Sequence, residues 1–540
     1  MARPLSTLTK EQIKDRILGC LYGNAVGDAY GLATEFMSKN AARERYGNGP
    51  IAFGTDEGYP VWLDTHRSKW ERNDFTDDTD QMLLILQSLE HTGDGRLHAT
   101  DFAQRLKEWS IIGFPEMETP PRGIGYTVGS TLAHPEFRFN PHKASFDIWN
   151  SKGRNLAANG AVMRTSVVGV ESFWDEPLVV ENALAAAKVT HADPRAIFSA
   201  VLAAVLVSRL LRGGGERVAD EESDTNGCQQ RAESNPVIRT WNPRLGEEGY
   251  KEELLNYLRR GTDINGDVSS NPTYEEETAE NTFKNKKGKA VTRRFPKEEP
   301  VSTSFLDKVK QLFAPQPSDY RPWDDWNKDR PKVQMRDDIG WAGMDEVGED
   351  EPIGSLARSV MEDYMFLLLE TDVVPPTIRI SKKKNTEESS EVAEEQDHAT
   401  PPPQRIQDKW YHELKSLCFP ENLARLELGD SEKMGYAFKC IGSGYYSCTR
   451  KVDPEPSGPD YGGPAGLFRG VLEQVTLEAG DADTNGAVVG SLLGARFGLS
   501  EGIPPSWWKN LKHFEWFSST VDEFAARVMA RYEKEEAERI

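Results

Sequence analysis

Cysteine is scarce and scattered in this chain. Five residues in 540, Cys20, Cys228, Cys418, Cys440 and Cys448, include no Cys-x-x-Cys pair. Such usage excludes a disulfide framework and a zinc ribbon, and it fits reduced thiols in an intracellular compartment. Positive charge is also in short supply: 65 Lys and Arg face 87 Asp and Glu, a net charge of -22. A field of that sign repels polyanions, so no docking on nucleic acid or an anionic membrane is expected, and basic proteins are the favoured partners. No apolar run is long enough to span a bilayer; the longest, 196–207, is interrupted by Ser199. Residues 1–14 hold no continuous apolar stretch of the kind a secretory signal needs. The expectation is a soluble, monomeric protein of the cytoplasm or nucleus.

A mean hydropathy of -0.61 with 28% charged residues implies long polar tracts diluting an ordinary core. One such tract, 213–331, is rich in Glu, Asp, Asn, Lys and Arg, with short amphipathic pieces at 250–258 and 305–313. It reads as a flexible insertion with embedded short helices, because it lacks the apolar content to offset the entropy of ordering a chain. A second low-complexity insertion, 378–408, contains a lysine triplet, an acidic run and three prolines. What remains, 10–212 and 335–535, forms one domain in which helical spacing recurs: 82–89, 99–111, 352–369, 409–448 and 521–536. Asp193 suits an N-cap and Pro194 a first helical position, so an almost wholly apolar, buried helix is expected to run from there to about Arg212. His191, alone at that helix entrance, fits a hydrogen-bonded structural role.

Two stretches stand out from this background. Gly19, Gly23, Gly27 and Gly31 fall at every fourth position of one helical segment, and Gly486, Gly490, Gly494 and Gly498 do so in another. Four glycines inside a helix cost about 2 to 4 kcal/mol relative to alanine, a cost that close approach of a backbone or ligand can offset. The first helix is expected to break near Gly31 and to present Glu35 from a loop. The other recurring feature is an acid-and-threonine helix start: Thr76, Asp77, Asp78, Thr79 and Asp80 before one apolar run, Asp481, Asp483 and Thr484 before the second striped helix. Carboxylates this close raise one another's pKa unless a cation or helix N-terminus compensates them. The striped helices are therefore expected to pack together and bring the two clusters face to face, with Asp80 turned away. An all-oxygen set of this kind suits a pair of Mg2+ or Mn2+ ions, for which hydrolysis is the natural reaction class. The glycine-rich turns at Gly123 and Gly125 and at Asn159 and Gly160 read either as plain loops or as amide donors to phosphate oxygens.

Taken in order, Gly27-Asp28-Ala29-Tyr30-Gly31 with Glu35, Phe75-Thr76-Asp77-Asp78-Thr79, Asn159-Gly160-Ala161 with Met163-Arg164, Thr190-His191, and Gly480-Asp481-Ala482-Asp483-Thr484 through Gly494-Ala495 resemble the ADP-ribosylglycohydrolases. That family includes the dinitrogenase reductase activating glycohydrolases and the ADP-ribosyl-acceptor hydrolases. The resemblance implies an all-α fold, a compact multi-helix bundle here carrying long polar insertions, and a binuclear Mg2+ centre that cleaves the bond between ADP-ribose and an acceptor. Thr76, Asp77, Asp78, Asp481, Asp483 and Thr484 would be the metal ligands, and Glu35, Asp77 and Asp78 the catalytic carboxylates. Gly123, Gly125, Asn159, Gly160, Arg164 and His191 would line the ADP-ribose cleft. The implied substrate is an ADP-ribosylated protein or a small ADP-ribose conjugate. An inactive ADP-ribose-binding or crystallin-like protein on the same scaffold is the alternative. Where members commonly have a second glycine, this chain has Ala479.

Overall fold

A helix with a glycine at every fourth position presents a bare strip of backbone, and two such strips can close on each other with no side chains between them. The computed structural model describes residues 5–55, 57–215, 241–259, 281–284, 290–293, 348–371, 405–452 and 462–539, and it shows that closure. The first glycine helix, Lys10–Gly31, starts at a capping box in which Thr9 and Gln12 exchange side-chain and backbone hydrogen bonds. It runs antiparallel to the second, Ala482–Phe497. A Cβ on Gly19, Gly23 or Gly27 would stand 2.3, 2.1 or 1.9 Å from the carbonyl oxygen of Gly494, Gly490 or Gly486, and one on Gly31 2.1 Å from that of Ala482. Every step of the stripe is thus a backbone-on-backbone contact that only glycine allows. Gly498 lies just past the second helix with a left-handed φ of 82°.

Around this pair the expected helices appear. Asp77–Thr92 and Ala99–Ile112 follow the first acidic cluster, and Phe514–Arg539 closes the described chain. The 352–369 segment forms two pieces, Glu351–Tyr364 and Phe366–Leu369, and 409–448 resolves into Ile406–Cys418, a short 3-10 turn at Leu423–Leu426, and Ala437–Cys448. Asp193 caps Pro194–Leu211, accepting a 3.1 Å hydrogen bond from the Arg195 amide. That helix extends past the 196–207 run to 18 residues, long and apolar enough to cross a membrane by composition, but it is enclosed by the rest of the protein as a core helix. Trp507 is buried and stacks on Tyr30 at 4.7 Å.

One part of the 213–331 tract belongs to the body. Tyr250–Arg259 is helical and buries Tyr250, Leu254, Leu255, Tyr257 and Leu258. Asn242 donates to the Tyr364 hydroxyl at 2.8 Å, and Lys188 bonds the Tyr257 carbonyl. An antiparallel pair of short strands, Asn281–Lys284 and Ala290–Arg293, is the one sheet among the described residues of an otherwise all-α chain. The 305–313 piece and the lysine, acidic and proline runs of 378–408 lie outside the described residues. Cys20, Cys418, Cys440 and Cys448 are buried free thiols.

Candidate active site

The antiparallel glycine helices decide where the acids meet. Asp28 lies one turn before the C-terminus of the first, and Asp481 and Asp483 open the second directly opposite. Between Gly31 and Met37 the chain turns and is stitched to the start of the second helix: the Phe36 amide donates to the Gly480 carbonyl at 2.6 Å, and the Gly480 amide to Met37 at 3.0 Å. Left-handed backbone at Phe36, Ala479 and Gly480 (φ 60°, 63° and 75°) makes this crossing. Thr76 is the N-cap of Asp77–Thr92, so a second helix start faces the same point.

Two groups of carboxylates result. Oxygens of Asp28, Asp78 and Asp483 lie within 4.8 Å of one another, and so do oxygens of Glu35, Asp481 and Asp483; Asp483 is common to both. The Thr76 hydroxyl lies 3.1 Å from Asp78 Oδ2 and 3.3 Å from Asp483 Oδ2. Asn159 donates to Asp481 Oδ2 at 2.9 Å, and the Thr484 amide to Asp483 Oδ1 at 2.9 Å. Asp28 accepts from the amides of Thr76 and Thr79 and from the Thr79 hydroxyl, at 2.9, 2.9 and 2.6 Å.

Electrostatically this arrangement is unfavourable for the protein alone. Burial, then repulsion from neighbouring acids, holds Asp77, Asp78 and Asp483 well above the usual carboxylate range. Burial lifts Asp28 to about 7 and Asp481 to about 6 against hydrogen bonds that pull both down. Asp78 Oδ1 is buried with no hydrogen-bond partner among the described residues. Buried charges of one sign, an orphaned carboxylate oxygen and a donor set made only of oxygens all call for hard cations, so the residues fit divalent metal ions.

The other expected site residues take distinct places. Asp77 belongs to neither three-carboxylate group; its Oδ2 accepts from Gln81 at 2.7 Å, and Gly123 (φ 74°) passes so close that a Cβ there would be 2.3 Å from Asp77 Oδ1. Asp80 does turn away, its carboxylate taking the Trp109 indole N–H at 3.0 Å. Gly125 caps the short helix Tyr126–Leu132 and has open space beside it. Thr484 Oγ1 lies against the Met163 sulfur. Arg164, expected in the cleft lining, has no exposed surface and holds Gln81 and Thr190, because a buried guanidinium must find acceptors. His191 is buried beside Gly160.

Sequence reasoning did not assign roles to Asp28, Gln81 or His66. His66 Nε2 lies 2.5 Å from Glu35 Oε2, and the neighbouring Arg67 donates to the carbonyls of Ala33 and Glu35, bracing the loop that carries Glu35. Asp28 had a discernible signal in its place on the glycine helix seven residues before Glu35. His66 lies in a loop with no periodicity and offered none.

A family model described as ADP-ribosylglycohydrolase matches residues 9–289 and 360–537, both halves of this site included. The chain belongs to the ADP-ribosylglycohydrolase family. Among relatives of this glycohydrolase family member, an uncharacterised protein of Archaeoglobus fulgidus is 30% identical over 196 residues, covering 36% of this chain and 56% of its own length. An ADP-ribosyl-dinitrogen reductase glycohydrolase of Rhodospirillum rubrum is 26% identical, covering 42% and 67%. An ADP-ribosylarginine hydrolase of Serratia proteamaculans is 22% identical, covering 40% and 53%. The chain thus spans about half to two thirds of the length of these curated relatives. A solved structure titled as an ADP-ribosylglycohydrolase-related protein complex aligns over 97% of this chain and 99% of its own at 18% identity, with a TM-score of 0.38.

Proposed function

We propose that this protein hydrolyses the glycosidic bond between ADP-ribose and an acceptor, an ADP-ribosylated protein or a small ADP-ribose conjugate, with two Mg2+ ions at the carboxylate site; Mn2+ would also fit. The observation that carries the reading is the pair of three-carboxylate groups sharing Asp483, all buried except the half-buried Asp481. Thr76, Asp77, Asp78, Asp481, Asp483 and Thr484 would hold the ions. Bound divalent ions polarise substrate oxygens and lower the pKa of water. Around them, the chain supplies placement. Three hydrogen bonds already occupy Asp28, so it orients the Thr76 and Thr79 backbone. Glu35, a member of the second group held by His66, would take a proton from an attacking water. The concentrated negative charge stabilises the oxocarbenium character that develops at C1 of the ribose. The turns at Gly123 and Gly160 offer backbone to the rest of the ADP-ribose.

Incubation of the protein with ADP-ribosyl-arginine, ADP-ribosyl-serine and O-acetyl-ADP-ribose in Mg2+ tests the proposal. Release of free ADP-ribose from at least one conjugate is expected, lost on EDTA addition and in Asp483→Asn. Turnover undiminished by excess EDTA or by that substitution would overturn the metal reading, and no cleavage of any conjugate, with ADP-ribose still bound, would favour a binding protein.

A further inference from the structure

A hydrogen-bonded line leaves the carboxylate site in a direction the proposed chemistry does not use. Asp77 Oδ2 accepts from Gln81 Nε2 at 2.7 Å, and Gln81 Oε1 accepts from Arg164 Nη1 at 2.5 Å. Arg164 Nη2 reaches Thr190 Oγ1 at 2.6 Å, and Thr190 Oγ1 lies 2.7 Å from His191 Nδ1. All five side chains are buried. The donor and acceptor roles along this line follow from its chemistry. A guanidinium only donates, so the Gln81 amide oxygen faces Arg164 and its nitrogen faces Asp77. For the same reason Thr190 Oγ1 receives its hydrogen from Arg164. Among the described residues the threonine hydroxyl hydrogen then has one acceptor within reach, His191 Nδ1. Were Nδ1 protonated instead, Thr190 would accept twice and its own hydrogen would be stranded in a buried place.

With Nδ1 accepting, a neutral His191 carries its hydrogen on Nε2. Burial, and then the charge of Arg164, push its pKa down to about 3, so the ring is neutral at physiological pH. Nε2 has no hydrogen-bond partner among the described residues. The ring edge faces Gly160, where a Cβ would stand 3.2 Å from Cε1 and 3.5 Å from Nε2. Gly160 is half-buried, and the side chain it lacks is the one that would crowd the imidazole edge.

We infer that Gln81, Arg164 and Thr190 are positioning residues that lock His191 as an Nε2–H donor beside Gly160, to meet an acceptor oxygen or nitrogen of the bound substrate. The line ties that donor to Asp77, so one rigid set of side chains fixes both the carboxylate and the distant contact. The tautomer lock stands on the protein alone; naming ADP-ribose as the ligand that meets it rests on the hydrolase reading. Nitrogen-15 imidazole NMR of the full-length protein, with the His191 resonances assigned through His191→Gln, reads the lock directly. Hydrogen on Nε2 in the wild type and in Thr190→Ser, and a mixture of tautomers in Thr190→Val, is the expected result. Hydrogen on Nδ1 in the wild type would overturn the inference even if Thr190→Val fails to fold, and so would a tautomer unchanged in a folded Thr190→Val. Calorimetric titration of ADP-ribose in Mg2+ supplies the second arm. Thr190→Val and His191→Gln should weaken binding by about tenfold, the size of one hydrogen bond, while Thr190→Ser restores it. Unchanged affinity in both variants would remove the substrate contact. Failure of the hydrolase reading would show separately, as a wild type that binds ADP-ribose and cleaves no conjugate.

Discussion

Gly490→Ala puts the packing of the two glycine helices to a quantitative test. In an ordinary helix the change would be favourable by roughly 0.5 to 1 kcal/mol. Here the added Cβ would lie 1.9 Å from the Gly23 carbonyl oxygen and 2.7 Å from its carbonyl carbon. Carbon and oxygen rest at roughly 3.3 Å even in a close C–H contact, so the helices must part by more than about 1 Å. Both partners are backbone, and no rotamer change can relieve the clash. Overpacking costs about 1 to 3 kcal/mol where side chains can yield, so the upper end applies, leaving a net loss of about 2 kcal/mol after the propensity gain. Urea unfolding of the variant is compared with that of Gly246→Ala, a glycine at the end of a 3-10 turn whose added methyl meets nothing within 4 Å among the described residues, as an uncrowded glycine-to-alanine control. The first should lose about 2 kcal/mol and the second should stay within about 0.5 of wild type. Because the same helices carry Asp28 and Asp483, Gly490→Ala should also weaken the Mg2+ response. A Gly490→Ala protein as stable as the wild type would refute the argument that the stripe exists for backbone contact.

Mg2+ at a hundred times its dissociation constant should raise stability by about 2.7 kcal/mol, since only the folded chain assembles the carboxylates; Asp483→Asn should abolish the shift, and an equal shift in that variant would place the ions elsewhere. Glu473, buried with Oε2 unpartnered among the described residues and Arg469 3.0 Å from Oε1, has its pKa raised by burial from 4.5 to about 7. The folded state therefore holds a proton that the unfolded chain gives up between those values, and stability contributed below pH 4.5 is lost as pH rises through 7, by about 3 kcal/mol. Glu473→Gln should flatten that slope in a pH series of denaturant midpoints and be the more stable protein at pH 8; parallel curves would exclude the effect. Ala479, at a φ of 63°, occupies a conformation that costs a non-glycine residue about 1 to 2 kcal/mol. Ala479→Gly, set against about 0.4 to 1 kcal/mol of unfolded-chain entropy, should come out neutral to about 1 kcal/mol more stable in urea, and a marked loss would mean the methyl packs favourably.

How much of this was legible in the sequence depends on whether a residue's task leaves a pattern. The glycine stripes were readable because close approach of two helices needs the same small residue on every turn, and repetition at four is visible without a structure. The acid-and-threonine starts were readable for a related reason: no helix gathers several carboxylates at its cap without something to compensate them, and the two clusters share one composition. Helix positions followed from apolar spacing, with ends moved by a few residues where a cap or a turn such as Met365 intervened. The packing of Tyr250–Arg259 was not foreseen because its five buried residues are diluted in a polar tract, and only the surface they meet shows that they are buried. Asp28 appears in the sequence only as part of the Gly27–Gly31 motif, because its bonds to Thr76 and Thr79 join positions that sequence alone cannot bring together. His66, Gln81 and Thr190 lie further along the same axis. Each makes one or two directional hydrogen bonds to a partner distant in sequence or buried from view, and a single hydrogen bond imposes no period, no composition and no repeat. Ligand-bearing carboxylates announce themselves by the charge they concentrate, whereas the neutral groups that orient them are chosen for geometry. The residues that set proton positions in such a site are therefore to be found by following donors and acceptors outward from the carboxylates in the folded chain.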